Sequence, residues 1–206
     1  MLFKLSPSHP TKSGAICKWR CDSNMLAVSL PGSVALCDRQ GSFISSISTS
    51  KDTASIDWEC HGDFLSVVVP NQPNVIIYET STSTHLTVQT TRPITCASWS
   101  PNSSLLIMGT DKGTFLQYNT QTKRLNKTIG THQKRISSLS WSSSNLLLAS
   151  SDDKTVSVTK LPSFETNRDN VVLPSPCTQL SSLSYKHKGQ IVHLGAALCK
   201  GDVYSL

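Results

Sequence analysis

The chain has 206 residues, 37% hydrophobic and 6% aromatic, and its 19 Lys and Arg against 13 Asp and Glu give a formal net charge of +6. Its apolar runs reach only four to six residues, far below the roughly 20 that a membrane-spanning helix needs, and Met1–Pro7 lacks an apolar core of signal-peptide length. The expectation is a β-rich single-domain chain with no membrane helix and no secretory leader, held in the cytoplasm with its seven cysteines reduced.

Leu2–Leu5 reads as a short strand of the kind that closes a ring of sheets. A pattern then begins that recurs along the chain. Its first copy predicts strands at Ile16–Trp19, Met25–Val28 and Val34–Cys37, parted by the turn residues of Cys21–Asn24 and Leu30–Gly32. The second predicts Ile56–Trp58, Phe64–Val69 and Val75–Tyr78 around Cys60–Asp63 and Pro70–Pro73. The third gives Ile94–Trp99, Leu105–Met108 and Thr114–Tyr118 around Pro101–Ser104 and Asp111–Gly113. The fourth gives Ile136–Trp141, Leu146–Ala149 and Thr155–Val158 around Ser143–Asn145 and Asp152–Lys154. Leu161–Cys177, with Pro162, Pro174 and Pro176, reads as an outer strand plus a long mobile loop. A fainter fifth copy runs through Gln179–Tyr185, Ile191–Leu194 and Gly201–Leu206.

Trp19, Trp58, Trp99 and Trp141 end the first strands at gaps of 39, 41 and 42 residues, and Tyr185 takes the same place 44 residues later. A period of about 40 to 45 residues with four short strands marks the blades of a WD40-type β-propeller. The fold class is therefore all-β, with about five blades in one domain spanning 1–206. The repeats fall near 14–50, 54–90, 93–130, 132–170 and 178–206. Pairs such as Cys37-Asp38, Tyr78-Glu79 and Tyr118-Asn119 stand where the Trp-Asp dipeptide would end each third strand, and the fourth copy has Thr159-Lys160.

Cys17 and Cys21 lie four apart and Cys60 adjoins His61. A structural zinc site draws on four converging ligands, usually in two paired clusters, and the Cys17/Cys21 pair has no matching second pair. No metal and no cofactor are expected, and Cys37 and Cys96 read as small core residues. Gly130-Thr131-His132 occupies the place of the Gly-His pair before a WD repeat's first strand. In a complete repeat that His bonds through an Asp and a hydroxyl to a Trp. Asp152 and Ser150 are the expected partners here, and Thr159 in place of the Trp predicts an interrupted network. No G-x-S-x-G elbow, phosphate loop or Gly-rich dinucleotide turn is present, and no nucleophile has a recognisable base beside it, so no catalytic activity is expected.

The positive charge has a topology. Antiparallel blades put alternate connections on opposite rims, so Lys123 and Arg124 go to one face while Lys112, Lys134, Arg135 and Lys154 go to the other. The second group spans neighbouring blades and is the candidate patch for an acidic protein or a membrane surface. No aromatic residues interleave with it as a base-stacking platform would require, so no nucleic-acid partner is expected.

Four stretches carry a more specific signal: Asp38–Gly41, Gly109–Thr122, Gly130–Ile136, and Asn145–Ala149 with Asp153-Lys154. Together they resemble the WD repeat domain protein nineteen family, a WD-repeat subunit of intraflagellar transport complex A, in the N-terminal propeller region. The resemblance implies a seven-bladed ring of which this chain holds the opening blades, followed in the family by a second propeller and a helical repeat region. It implies a non-enzymatic scaffold whose partners are the other subunits of that complex. The work would be retrograde transport and receptor entry, placed in the cilium or flagellum, basal body and cytoskeleton. A WD scaffold of another assembly, such as a vesicle coat or a ubiquitin ligase adaptor, is the alternative that generic WD patterning allows.

Overall fold

The computed structural model describes residues 16–127, 132–142, 145–160, 165–166, 170–187 and 190–205. The ring-closing strand expected at Leu2–Leu5 lies outside them. Every regular element among the described residues is a strand, and no helix is long and apolar enough to cross a membrane. The chain forms five antiparallel sheets, one for each sequence repeat. The first runs in order through β1 (Cys17–Trp19), β2 (Met25–Leu30), β3 (Ser33–Asp38) and β4 (Phe43–Ser48). The second is β5 (Ser55–Trp58), β6 (Phe64–Val68), β7 (Asn74–Glu79) and β8 (Thr84–Gln89). The third is β9 (Ile94–Trp99), β10 (Leu105–Thr110), β11 (Phe115–Asn119) and β12 (Arg124–Lys127).

The fourth sheet has β13 (Ile136–Trp141), β14 (Leu146–Ser151) and β15 (Thr155–Lys160), and its outer strand is split. Glu165–Thr166 (β16) and Val171–Val172 (β17) both pair with β15, at its C-terminal and N-terminal ends respectively. The fifth sheet has β18 (Gln179–His187), β19 (Gln190–Cys199) and β20 (Asp202–Ser205). Its first two strands run longer than their apolar cores predict, because the hairpin register continues from Gln179↔Leu198 to His187↔Gln190.

The turns fall where the sequence places them because they need left-handed backbone. Ser23, Gly62 and Asn145 lie at φ 58°, 82° and 62° between first and second strands. Gly32, Asn71, Gly113 and Lys154 lie at 71°, 60°, 76° and 70° between second and third. This region suits glycine and short polar side chains, and Lys154, like Lys123 and Lys200, is a costly occupant. The outer strands β4, β8 and β12 have no apolar run of their own. They form because the outer edge of each third strand offers a ladder of unpaired backbone groups. Few of their side chains turn inward, among them Ile47 at 1% exposure and Val88 at 8%.

Packing divides into two compact units, Met1–Ala97 and Ser98–Leu206. In the first, Ala27, Val34, Leu36 and Ile47 of one sheet bury Ile56, Trp58, Leu65, Val67 and Tyr78 of the next. Trp58 Nε1 donates to the Lys18 carbonyl at 3.0 Å, so the buried indole is satisfied. In the second, Leu148 and Val156 pack with Leu173, Cys177, Leu180, Ala197 and Cys199. Each fully buried aliphatic side chain contributes roughly 1.5–3 kcal/mol, so these sheet-to-sheet cores outweigh any single hydrogen bond. Cys37 and Cys96 are buried as expected of core residues.

Candidate functional site

Lys112, Lys134, Arg135 and Lys154 are all exposed. Lys112 stands in the β10–β11 turn, Lys134 and Arg135 in the segment entering β13, and Lys154 in the β14–β15 turn. Backbone contacts draw these segments together. A Cβ on Gly113 would lie 2.7 Å from both the carbonyl carbon of His132 and the carbonyl oxygen of Lys134, so only glycine lets the first turn seat on the second. Ser151 Oγ donates to the Lys134 carbonyl at 3.1 Å, and the Asp152 amide donates to the Arg135 carbonyl at 3.0 Å.

Acidic residues sit in the same turns. Arg135 Nε binds Asp152 Oδ2 at 2.9 Å, whereas Lys112, Lys134 and Lys154 make no ion pair among the described residues. Four cations thus face Asp111, Asp152 and Asp153 across one surface, which gives mixed charge with three uncommitted lysines rather than an unbroken positive field. Lys123 stands in the β11–β12 turn and Arg124 opens β12, at the other end of β11 from Lys112.

Beneath that surface lies His132, 7% exposed. The expected partners Asp152 and Ser150 are not the ones it uses: Asp152 holds Arg135, and Ser150 pairs with Ser137 at 2.9 Å. Instead His132 Nδ1 lies 2.9 Å from Thr155 Oγ1 and 3.4 Å from Asp153 Oδ2, while Nε2 lies 2.8 Å from Ser157 Oγ. Thr155 gives its only hydroxyl proton to Asp153 Oδ1 at 2.6 Å. It therefore accepts from a protonated Nδ1, which leaves Nε2 to accept from the Ser157 hydroxyl. Thr155 and Ser157 share a face of β15 because side chains alternate along a strand. That period of two was the sequence signal available, whereas the WD-repeat pattern pointed to Asp152 and Ser150. Further along, Thr159 Oγ1 and Trp141 Nε1 are buried without a hydrogen-bond partner.

Burial lowers the His132 pKa from its ordinary value, although Asp153 and the Ala149 carbonyl act in the opposite direction. Burial works against ionisation of Asp153, but bonds from Thr155 and from the Gln133 amide outweigh it and hold the carboxyl below its ordinary range. Phe115 meets the imidazole edge-on, with ring centroids 6.2 Å apart. The Ser157 hydroxyl does stand beside the imidazole, but Nδ1 bonds Thr155 and lies 3.4 Å from Asp153, so the Asp-oriented relay of a hydrolase is not formed. Ser157 is 1% exposed, and no acyl substrate reaches it in this arrangement.

A second buried polar centre lies in the turn after β5. Glu59 is 1% exposed. Its amide donates to the Phe64 carbonyl at 2.9 Å and its carbonyl accepts from Gly62 at 2.9 Å. The side chain folds back on the same turn, with Oε2 accepting from the His61 amide at 2.8 Å and Oε1 from the Cys60 thiol at 3.4 Å. Burial, reinforced by the adjacent carboxylate, pushes the Cys60 thiol up to about 11. Metal-ligating atoms of Glu59, Cys60 and His61 all lie within 4.8 Å of one another. A tally of Cys and His alone misses Glu59, although the Glu-Cys-His-Gly order is visible in the chain. Arg20 runs its stem over Gly62, and both oxygens of Asp22 engage its guanidinium, which holds the Asp22 carboxyl far below the usual range.

Residues 15–190 match the family model described as the WDR19 first beta-propeller. WD repeat-containing protein dyf-2 of Caenorhabditis elegans is 26% identical over 150 residues, which cover 70% of this chain and 11% of that protein. WD repeat-containing protein 19 of Mus musculus is 32% identical over 127 residues, 61% of this chain and 10% of that protein. This chain thus spans about a tenth of the length of these relatives. Periodic tryptophan protein 2 homolog of Caenorhabditis elegans is 26% identical over 147 residues, 69% of this chain and 16% of that protein. Among solved structures, U3-55K superposes with a TM-score of 0.75 at 14% identity, covering 92% of this chain and 59% of that one. The dihydro-heme d1 dehydrogenase NirN does so at 0.74 and 14%, covering 96% and 46%. These last two likenesses concern fold alone. With its strands, turns and tryptophan period in that frame, the chain belongs to the family of the WDR19 first β-propeller.

Proposed function

We propose that this chain is a non-enzymatic protein–protein interaction scaffold, the WD-repeat part of an intraflagellar transport complex A subunit acting in retrograde ciliary transport and ciliary receptor entry. The observation that carries the reading is the family match over residues 15–190. Its repeats are propeller blades, and its partners are the other subunits of that complex. The protein works at the cilium or flagellum and its basal body. Burial of Ser157 at 1% and His132 at 7% supports a non-enzymatic role, because both side chains of that pair are withdrawn from solvent. Lys112, Lys134 and Lys154, with Arg135 held by Asp152, serve as the docking surface for an acidic protein segment or an anionic membrane.

The test is expression of the tagged full-length gene product in ciliated cells. Recovery with complex A subunits and a ciliary signal are expected, and a product absent from cilia and from the complex would overturn the reading. The similarity to periodic tryptophan protein 2 homolog favours one other outcome, a WD scaffold in a different assembly, which the same recovery would reveal.

A further inference from the structure

We propose that the Glu59–Cys60–His61 turn is a binding site for a borderline divalent cation of the zinc class, held by a Glu59 oxygen, Cys60 Sγ and the His61 imidazole, with water in the fourth position. The first support is spacing. Zinc–sulfur bonds of about 2.3 Å and zinc–oxygen bonds of about 2.0 Å at a tetrahedral angle put sulfur and oxygen about 3.5 Å apart. Cys60 Sγ and Glu59 Oε1 already stand at 3.4 Å. The full set lies within 4.8 Å, so the His61 ring needs a shift of about 1 Å to close on the same ion. His61 is exposed and free to make that adjustment, while Cys60 is half-buried and opens a path from solvent.

The second support is electrostatic. One carboxylate and one thiolate would balance the ion's two charges within the turn. The donor set of nitrogen, sulfur and oxygen suits zinc rather than calcium or magnesium, which take oxygen alone. The His61 amide on Oε2 fixes the carboxylate so that Oε1 faces the sulfur, as an outer hydrogen bond orients a ligand in established metal sites. The Arg20 charge is engaged by Asp22 and does not stand uncompensated beside the ion. On binding, the Cys60 S–H bond breaks, a sulfur–metal bond forms and the proton leaves to solvent, with no change of oxidation state.

A closed structural zinc site takes four protein ligands, usually in two pairs. Three protein ligands and a water form a different, exchangeable class. The probe is Co²⁺ added to the full chain, with absorption read in the near-ultraviolet, where thiolate-to-cobalt charge transfer falls. One saturating equivalent is expected at micromolar concentration. Zn²⁺ should displace it, Cys60→Ser should abolish the band, and His61→Ala, at an exposed position that does not threaten folding, should weaken binding at least tenfold. Cys17→Ser/Cys21→Ser should keep the band. Absence of a saturable band up to about 1 mM Co²⁺, far above the affinity such ligands give, would overturn the site. So would a band that survives Cys60→Ser or depends on Cys17 and Cys21.

Discussion

Two buried polar centres, one in each compact unit, solve the same problem by different routes. Glu59 brings a carboxylate into the first unit and satisfies it within its own turn, through the His61 amide and the Cys60 thiol one and two residues away. His132 brings an imidazole into the second unit and satisfies it with Thr155 and Ser157, more than twenty residues on. In the local solution these two carboxylate bonds come from the next two residues, so they form with the turn itself. The long-range solution exists only when β15 is in register, so it makes the fourth repeat cooperative: the strand fixes the imidazole, and the imidazole fixes the segment on which the Gly113 turn seats.

The largest expected effect tests that difference directly. His132→Ala leaves the Ser157 and Thr155 hydroxyls without their ring partner and opens a cavity, for a loss of about 3 kcal/mol in urea unfolding. Gly113→Ala comes next, at about 2–3 kcal/mol, because the added methyl meets the His132–Lys134 backbone and φ 76° disfavours any side chain. Both losses should appear together in hydrogen exchange across the fourth sheet. Glu59→Ala should cost about 1–2 kcal/mol, with exchange changes confined to its own turn, and Glu59→Gln less, since the amide oxygen still accepts. Losses from Glu59→Ala that spread through β6 and β7 would remove the contrast between the two centres.

A smaller effect follows from pH. Burial depresses the His132 pKa, so the folded state keeps the ring neutral while the unfolded chain takes up a proton near pH 6.5. Stability contributed by the neutral ring is full above that value and falls as acid is added through it. Asp153 is also depressed, and its contribution is present above the ordinary carboxylate range and lost only at lower pH. Melting temperature followed from pH 7.5 to 5.5 should drop in the wild type and drop less in His132→Gln. The smallest contrast lies within the first unit, between tryptophans at equivalent repeat positions. Trp58→Phe should cost about 1 kcal/mol through the bond to Lys18, whereas Trp19→Phe, at 47% exposure, should stay within about 0.5 kcal/mol.

Much of the architecture was legible. Trp19, Trp58, Trp99 and Trp141 mark the ends of β1, β5, β9 and β13, and the apolar quartets after them mark the second strands within two residues. The outer strands were less so, because Thr84–Gln89 and Arg124–Lys127 carry almost no apolar pattern and owe their pairing to the edge they meet. The candidate surface was half legible. Strand alternation placed Lys112, Lys134, Arg135 and Lys154 on connected turns, yet the pairing of Arg135 with Asp152 needed the register of β13 on β14. The register of β15 on β14 decided that His132 meets Thr155 and Ser157 and not Ser150.

By itself the sequence determined the number of repeats, the strand and turn order and the family, since each depends on period, local turn chemistry or motif. Tertiary structure alone decided which polar groups are buried and with whom they pair. Four tryptophans at gaps of 39, 41 and 42 residues look alike in the chain, but Trp58 and Trp99 are buried while Trp19 lies open. Burial depends on what a neighbouring sheet covers, and that is set by packing between repeats rather than by any pattern within one.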